Sequence, residues 1–299
     1  MRWLLAVTLC GCAAHPGAAD RPVRPEASHP APAAAPADVA ITLDGGANAL
    51  WWDAASSTLY LTDSNASAVM TWSDADGLQV AGALPADEAG VSLGGIVRRG
   101  DGTLLVASFG FGTHGGMIAV TAGTASTLTG LDPARRRVGL AQDPEGTLYS
   151  AYFVGGRGKP PTGGVATLTI AGQAATETEI ASGFHKVVGL VATPAAVFVS
   201  DQTDRAIYRI AVPGYAVTRL ASVPAVDLLV MLPGGDLLTG GGPTISRISQ
   251  TGQVTTLTGH FEQVRGLAYD AAHERLFVID HSVTVGLPDR LRIVYLRAP

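Results

Sequence analysis

Six four-stranded antiparallel blades set around a central axis is the fold class this sequence predicts. Three observations predict it. The stretch NALWWDAASSTLYLTD (48–63) is written again, without a gap, as RGLAYDAAHERLFVID (265–280). The 299-residue chain is 47% apolar and only 15% charged, against about 25% charged in ordinary soluble domains, so much of it is expected to be buried on both faces. No stretch carries a helical period, which argues against alternating strand–helix architecture.

Between the two clear copies lie four weaker ones: GIVRRGDGTLLVAS (95–108), GLAQDPEGTLYSAY (139–152), GLVATPAAVFVSD (189–201) and LLVMLPGGDLLTGG (228–241). Each reads as an apolar strand, a turn rich in Asp, Gly or Pro, and a second apolar strand. A third strand follows, as in AVMTW (68–72), AIYRI (206–210) or RLRIVYL (290–296), and often a weaker fourth, as in LQVAGAL (78–84) or TTLTG (255–259). Residues 38–299 divided by six give about 44 each, the length of a four-stranded propeller blade. One such sheet has two apolar faces and hides both only by stacking between neighbours. The last copy supplies three strands. VAITL (39–43) is expected to add the fourth, closing the ring and removing its free edges.

The N-terminal region is expected to lie outside this fold. Residues 1–12 combine Arg2 with a short apolar run, Trp3 to Leu9, too short to span about 30 Å of hydrocarbon. The segment LCGC resembles a bacterial lipobox with Cys12 as the lipidated residue. The alternative is an ordinary export signal cut among the following alanines. With Cys12 acylated and Cys10 removed, disulfides play no part in the fold. Residues 13–37 hold six prolines and form an expected disordered tether, at most roughly 75 Å long as polyproline II. These features predict a monomer held at the bacterial envelope by a lipid anchor only, and Ala13 after the acceptor favours the outer membrane. A net charge of −5, with 18 Arg and two Lys (Lys159, Lys186), gives no footprint for nucleic acid.

In such a ring, the residue just before the inner-strand Gly, or its equivalent, points to the axis on the rim where ligand loops lie. These positions are Asn48, Gly94, Val138, Val188, Asp227 and Arg265. The polar three fall on three consecutive blades of the closed ring. Two readings follow: a polar pocket for an anion or a sugar, or an Asp227–Arg265 ion pair plugging the channel, since buried charges need partners.

The loops after the second strands supply further candidates for ligand binding. FGFGTHGG (109–116) carries His114. YFVGGRGKPPTGG (152–164) carries Arg157 and Lys159. HSVTVGLPD (281–289) carries His281, and the entering loop GFHKVVGL (183–190) places His185 and Lys186 nearby. Asp63, Asp201 and Asp280 end second strands and are expected to accept hydrogen bonds from their own turns. GVSLG (90–94) and GFGTHG (110–115) match nucleophile-elbow and dinucleotide patterns, but neither precedes a helix.

WWDAASSTLYLTD with GLAYDAAHERLFVID resembles the regucalcin/gluconolactonase family and the related NHL-repeat propellers. The resemblance implies a six-bladed propeller with a divalent cation, Ca²⁺ or Zn²⁺, on its axis and sugar-lactone hydrolysis in which the metal polarises the carbonyl. By position, the family's metal-binding Glu falls at Asn48, its metal Asn at Val188 and its metal Asp at Asp227. The substrate-contacting Asn falls at Gly94. Asp227, as ligand or base, and Asn48 are thus what the resemblance leaves of the metal site. Three functions stay open. The chain binds a small ligand or partner at its rim through Asn48, Asp227 and Arg265. Alternatively, it is a divergent lactonase or esterase recruiting His114, His185 or His281. The third is a scaffold for envelope proteins.

Overall fold

The computed structural model describes residues 38–84, 92–110, 114–155 and 158–296. Cys12, the tether and Arg157 lie outside the described residues. Twenty-four strands form six four-stranded antiparallel sheets. The first blade contains β2 (Ala47–Asp53), β3 (Thr58–Asp63), β4 (Ala68–Ser73) and β5 (Gly77–Ala83). The second runs from β6 (Leu93–Arg98) to β9 (Thr124–Thr127), and the third from β10 (Arg136–Gln142) to β13 (Ala174–Phe184). The fourth runs from β14 (Val187–Thr193) to β17 (Val217–Ser222), and the fifth from β18 (Leu229–Met231) to β21 (Val254–Thr258).

The sixth blade is assembled from both ends of the fold. β22 (Val264–Asp270), β23 (Arg275–Asp280) and β24 (Arg290–Tyr295) are joined by β1 (Val39–Thr42). β1 pairs antiparallel with β24, Val39 opposite Ile293 and Thr42 opposite Arg290. The predicted closure is therefore the observed one.

The repeated phrase is explained by turn chemistry. Asp53 Oδ1 accepts the Ala55 amide at 3.1 Å, and Asp270 Oδ1 accepts the Ala272 amide at 3.0 Å. Each turn then passes through a left-handed residue, Ser57 (φ 51°) or Glu274 (φ 50°). The Asp at the other strand end varies more. Asp63 Oδ1 accepts amides of its own turn, from Asn65 and Ala66. Asp280 departs from expectation: it accepts the amides of Glu262 and Gln263, in the loop entering its blade.

Burial grades outward along each sheet. β6, β7 (Leu104–Ser108) and β23 are buried almost throughout, whereas β17 is largely exposed and β5 only part-buried. The core therefore lies between blades. Leu50, Leu59, Leu61 and Trp72 of the first blade pack on Phe277, Ile279, Leu291 and Ile293 of the sixth, with Leu43 filling the seam. This is how a low-charge sequence of short strands becomes stable: each apolar face is covered by the next sheet.

Two devices set the axis. Register shifts break β2–β3 between Ala47 and Leu50, β6–β7 between Leu93 and Ile96, and β10–β11 between Arg137 and Gly139. Equivalent shifts fall between Val187 and Gly189 and between Val264 and Leu267. Such bulges re-aim side chains, and Asn48, Gly94, Val138, Val188 and Arg265 sit in them. Glycine then permits close approach of inner strands. A Cβ on Gly266 would lie 2.5 Å from Asn48 O, and one on Gly189 2.8 Å from Asp227 O.

Candidate functional site

At the loop rim the axis widens into a cavity of about 420 Å³ lined by Asn48, Ser92, Phe109, Arg136, Val138, Phe153, Lys186, Val188, Gln202, Asp227, Gln263 and Arg265. Five of the six positions expected at the axis line it; Gly94 does not, and Ser92 does instead. Asn48 spans two blades, its Nδ2 donating to Leu93 O at 2.7 Å. Asp227 is held through its backbone: its carbonyl accepts Ser200 Oγ at 2.6 Å, and its amide donates to Thr239 Oγ1 at 3.1 Å.

Asp227 is 9% exposed. Burial pushes its carboxyl up to about 7, against the pull of Arg265, Lys186 and the Leu228 amide. The salt-bridge plug is not what forms. Among the described residues, neither Arg265 nor Lys186 comes within 4.0 Å of a carboxylate oxygen. The charges feel one another across open volume.

The side of the cavity whose axial positions are Gly94, Val138 and Val188 carries two more cations: Lys186, expected nearby from its entering loop, and Arg136. Arg136 donates from Nε to Phe109 O at 3.2 Å, and its guanidinium lies 4.8 Å from the centre of the Phe153 ring. Lys186 Nζ lies 5.8 Å from the same ring. Burial lowers the Arg136 guanidinium from its ordinary value. Burial also lowers the Lys186 ammonium, with Asp227 opposing and Arg136 and Arg265 reinforcing. A signal for this second tier exists in the sequence: two residues before the bulged positions stand Ser92, Arg136, Lys186 and Gln263.

The histidines lie elsewhere. His114 is exposed and does not line the cavity. His281 Nδ1 is 2.8 Å from Asp289 Oδ1, beside a separate pocket of about 490 Å³ under the 281–289 loop. His185 Nδ1 is 2.8 Å from Asp204 Oδ1. With Asp201 these two present ligand atoms within 4.8 Å of one another, close enough to hold a metal ion. Those atoms are already engaged. Asp201 Oδ2 accepts the His185 amide at 2.7 Å, and Oδ1 accepts the amides of Lys186, Thr203 and Asp204. Tyr208 Oη donates to Asp204 Oδ2 at 2.7 Å. The cluster fixes the loop that carries Lys186.

The fold is that of regucalcin- and gluconolactonase-like six-bladed propellers. A solved gluconolactonase from Xanthomonas campestris superposes with a TM-score of 0.67 at 19% identity, covering 86% of this chain and 90% of that one. Regucalcin from Agrobacterium tumefaciens, a calcium-binding protein, gives 0.66 at 15% identity, with 86% and 95% covered. An auxiliary nutrient-binding protein from Bacteroides thetaiotaomicron gives 0.61 at 14% identity, with 86% and 70% covered. No protein-family model matches the chain, and no curated protein matches it.

Proposed function

We propose that this chain is an envelope lipoprotein, acylated on Cys12, that binds a small organic anion in its axial cavity. The observation that carries the reading is the convergence of Arg136, Lys186 and Arg265 on one cavity with a single acid that holds its proton up to about pH 7. Three cations in a partly dry volume favour an anion, and Arg265 offers the paired donors that suit a carboxylate. Phe109 and Phe153 give an apolar body a surface to lie on. Gln202, Gln263 and Asn48 Oδ1 are placed to bond neutral polar groups of the ligand.

The lactonase reading asks for a hard cation on the same axis. The donor set does not fit one. Asp227 is the single carboxylate in the lining, Val138 and Val188 offer no ligand atom, and three cations would repel the metal. A hard divalent site needs several oxygens and more negative charge.

Calorimetric titration of the purified chain with lactate, pyruvate and gluconolactone tests the reading. The two anions should bind and the neutral lactone should not. Arg265→Gln should weaken the anions more than tenfold. Equal affinity for the lactone, or stoichiometric Ca²⁺ with lactone hydrolysis, would overturn it. Radiolabelled palmitate incorporation lost on Cys12→Ala tests the anchor.

A further inference from the structure

We infer that the axial cavity acts on 2-oxo acids, Lys186 condensing with the ketone to form a Schiff base. This rests on the anion-binding reading and deepens it by naming the reacting group and the ligand class.

The geometry places an amine where such chemistry needs it. Lys186 lines a recessed volume, between two guanidinium groups and an acid, with no carboxylate in ion-pair contact among the described residues. A lysine beside other cations and away from bulk water is poised to lose its proton and act as a nucleophile. Its backbone is fixed by Asp201, which accepts the amides of both His185 and Lys186. Asp201 is thus a positioning residue, bonded also to Thr203 and Asp204 in its own turn. The charged groups around Lys186 are Asp227, Arg136 and Arg265 in the cavity, and His185, Asp201 and Asp204 on its own blade.

The anion and the ketone call on different parts of the lining. Arg265 and Arg136 hold the carboxylate, and this leaves the adjacent carbonyl carbon to Lys186. The neutral Nζ lone pair adds to that carbon, and the carbonyl oxygen takes up the proton the nitrogen then gives up, giving a carbinolamine. Its hydroxyl leaves as water, taking a proton from Asp227, while the nitrogen lone pair closes the C=N bond as an iminium, whose N–H proton returns to Asp227 to leave the imine. One ketone and one amine become one imine and one water, with no change of oxidation state and no co-reactant. Asp227 suits the proton-transfer role because it holds a proton near neutrality and accepts one back on hydrolysis.

The chain has two lysines, and this makes the test sharp. Lys159 is exposed and does not line the cavity. The purified chain is incubated with pyruvate and borohydride, digested and mapped by mass spectrometry. A reduced pyruvyl adduct is expected on Lys186, at least tenfold above any on Lys159, and suppressed by excess lactate. Lys159→Arg should leave it unchanged. Asp227→Asn should slow its formation roughly hundredfold while lactate still binds. Lys186→Arg, which leaves no amine to condense, should abolish the adduct. Pyruvate binding with no adduct, or with equal labelling of both lysines, overturns the Schiff base and leaves the anion site standing. Failure of both pyruvate and lactate to bind overturns both readings.

Discussion

Asp227 and Arg265 line the same axial cavity on adjacent blades and do not form a salt bridge: no oxygen–nitrogen approach within 4.0 Å joins them. Were they paired, the axis would be plugged and Asp227 would titrate like an ordinary acid. Instead burial dominates and its carboxyl rises to about 7.

Stability should therefore depend on pH through Asp227. The folded state binds its proton more tightly than the unfolded chain. The associated stability is fully present below the ordinary value of 3.8 and is lost as pH rises through about 7. At pH 8 the buried charge costs at most roughly 4 kcal/mol, the free energy that corresponds to a carboxyl moved from 3.8 to about 7. Asp227→Asn should raise the melting temperature at pH 8 and change it little at pH 4. Calorimetry at the two pH values checks this. An Asn variant that melts lower at pH 8 would contradict the assignment.

Anion affinity should follow the same titration. Above about pH 7 Asp227 becomes charged and repels a bound carboxylate. Lactate should bind roughly three- to tenfold more weakly at about pH 8.5 than at about pH 6, and Asp227→Asn should flatten this slope. Added salt should weaken binding in both proteins.

Ring closure should be essential to the whole fold. Deleting 38–44 removes β1, exposes the edge of β24, and takes Leu43 from the seam between the first and sixth blades. The melting temperature should fall by about 10 °C or more, since each kcal/mol shifts a domain of this size by about 2–4 °C. Thermal denaturation followed by circular dichroism measures it, and an unchanged value would refute the closure's energetic role.

Within the third blade, the inner strand β10 is tied to the outer strand β13 by charge. Arg137 is fully buried, bonded to Glu177 through Nε–Oε1 and Nη2–Oε2, both 2.8 Å, and to the carbonyls of Asp132 and Arg135. Burial pushes the Glu177 carboxyl up, but the Arg137 bonds and charge, with the Ser150 hydroxyl and the Arg135 charge, together hold the group below its ordinary 4.5. Its contribution is present above that value and lost as pH falls through the lower folded one. Glu177→Gln strands a buried guanidinium and should cost about 3–5 kcal/mol. Joint replacement, Arg137→Met with Glu177→Leu, should cost much less. Denaturant titrations compare the two, and equal losses would show that the pair is not coupled.

The sequence by itself determined the repeat, the blade number and the closing strand, because each rests on local chemistry. An Asp-Ala-Ala turn caps its own amides, an alternating strand hides its apolar face, and a blade short of one strand needs another. It also marked Asn48, Asp227 and Arg265, because each stands just before the inner-strand Gly or its equivalent in its copy of the repeat. Tertiary structure decided what faces the cavity with them. Lys186 was expected nearby from its loop, but Arg136 was not: it stands two residues before Val138, and only the fold brings both over Phe153. Whether Asp227 met Arg265 was likewise undecidable from spacing. Pairing depends on a few ångströms of separation between blades, which the packing of whole sheets sets and no single repeat encodes.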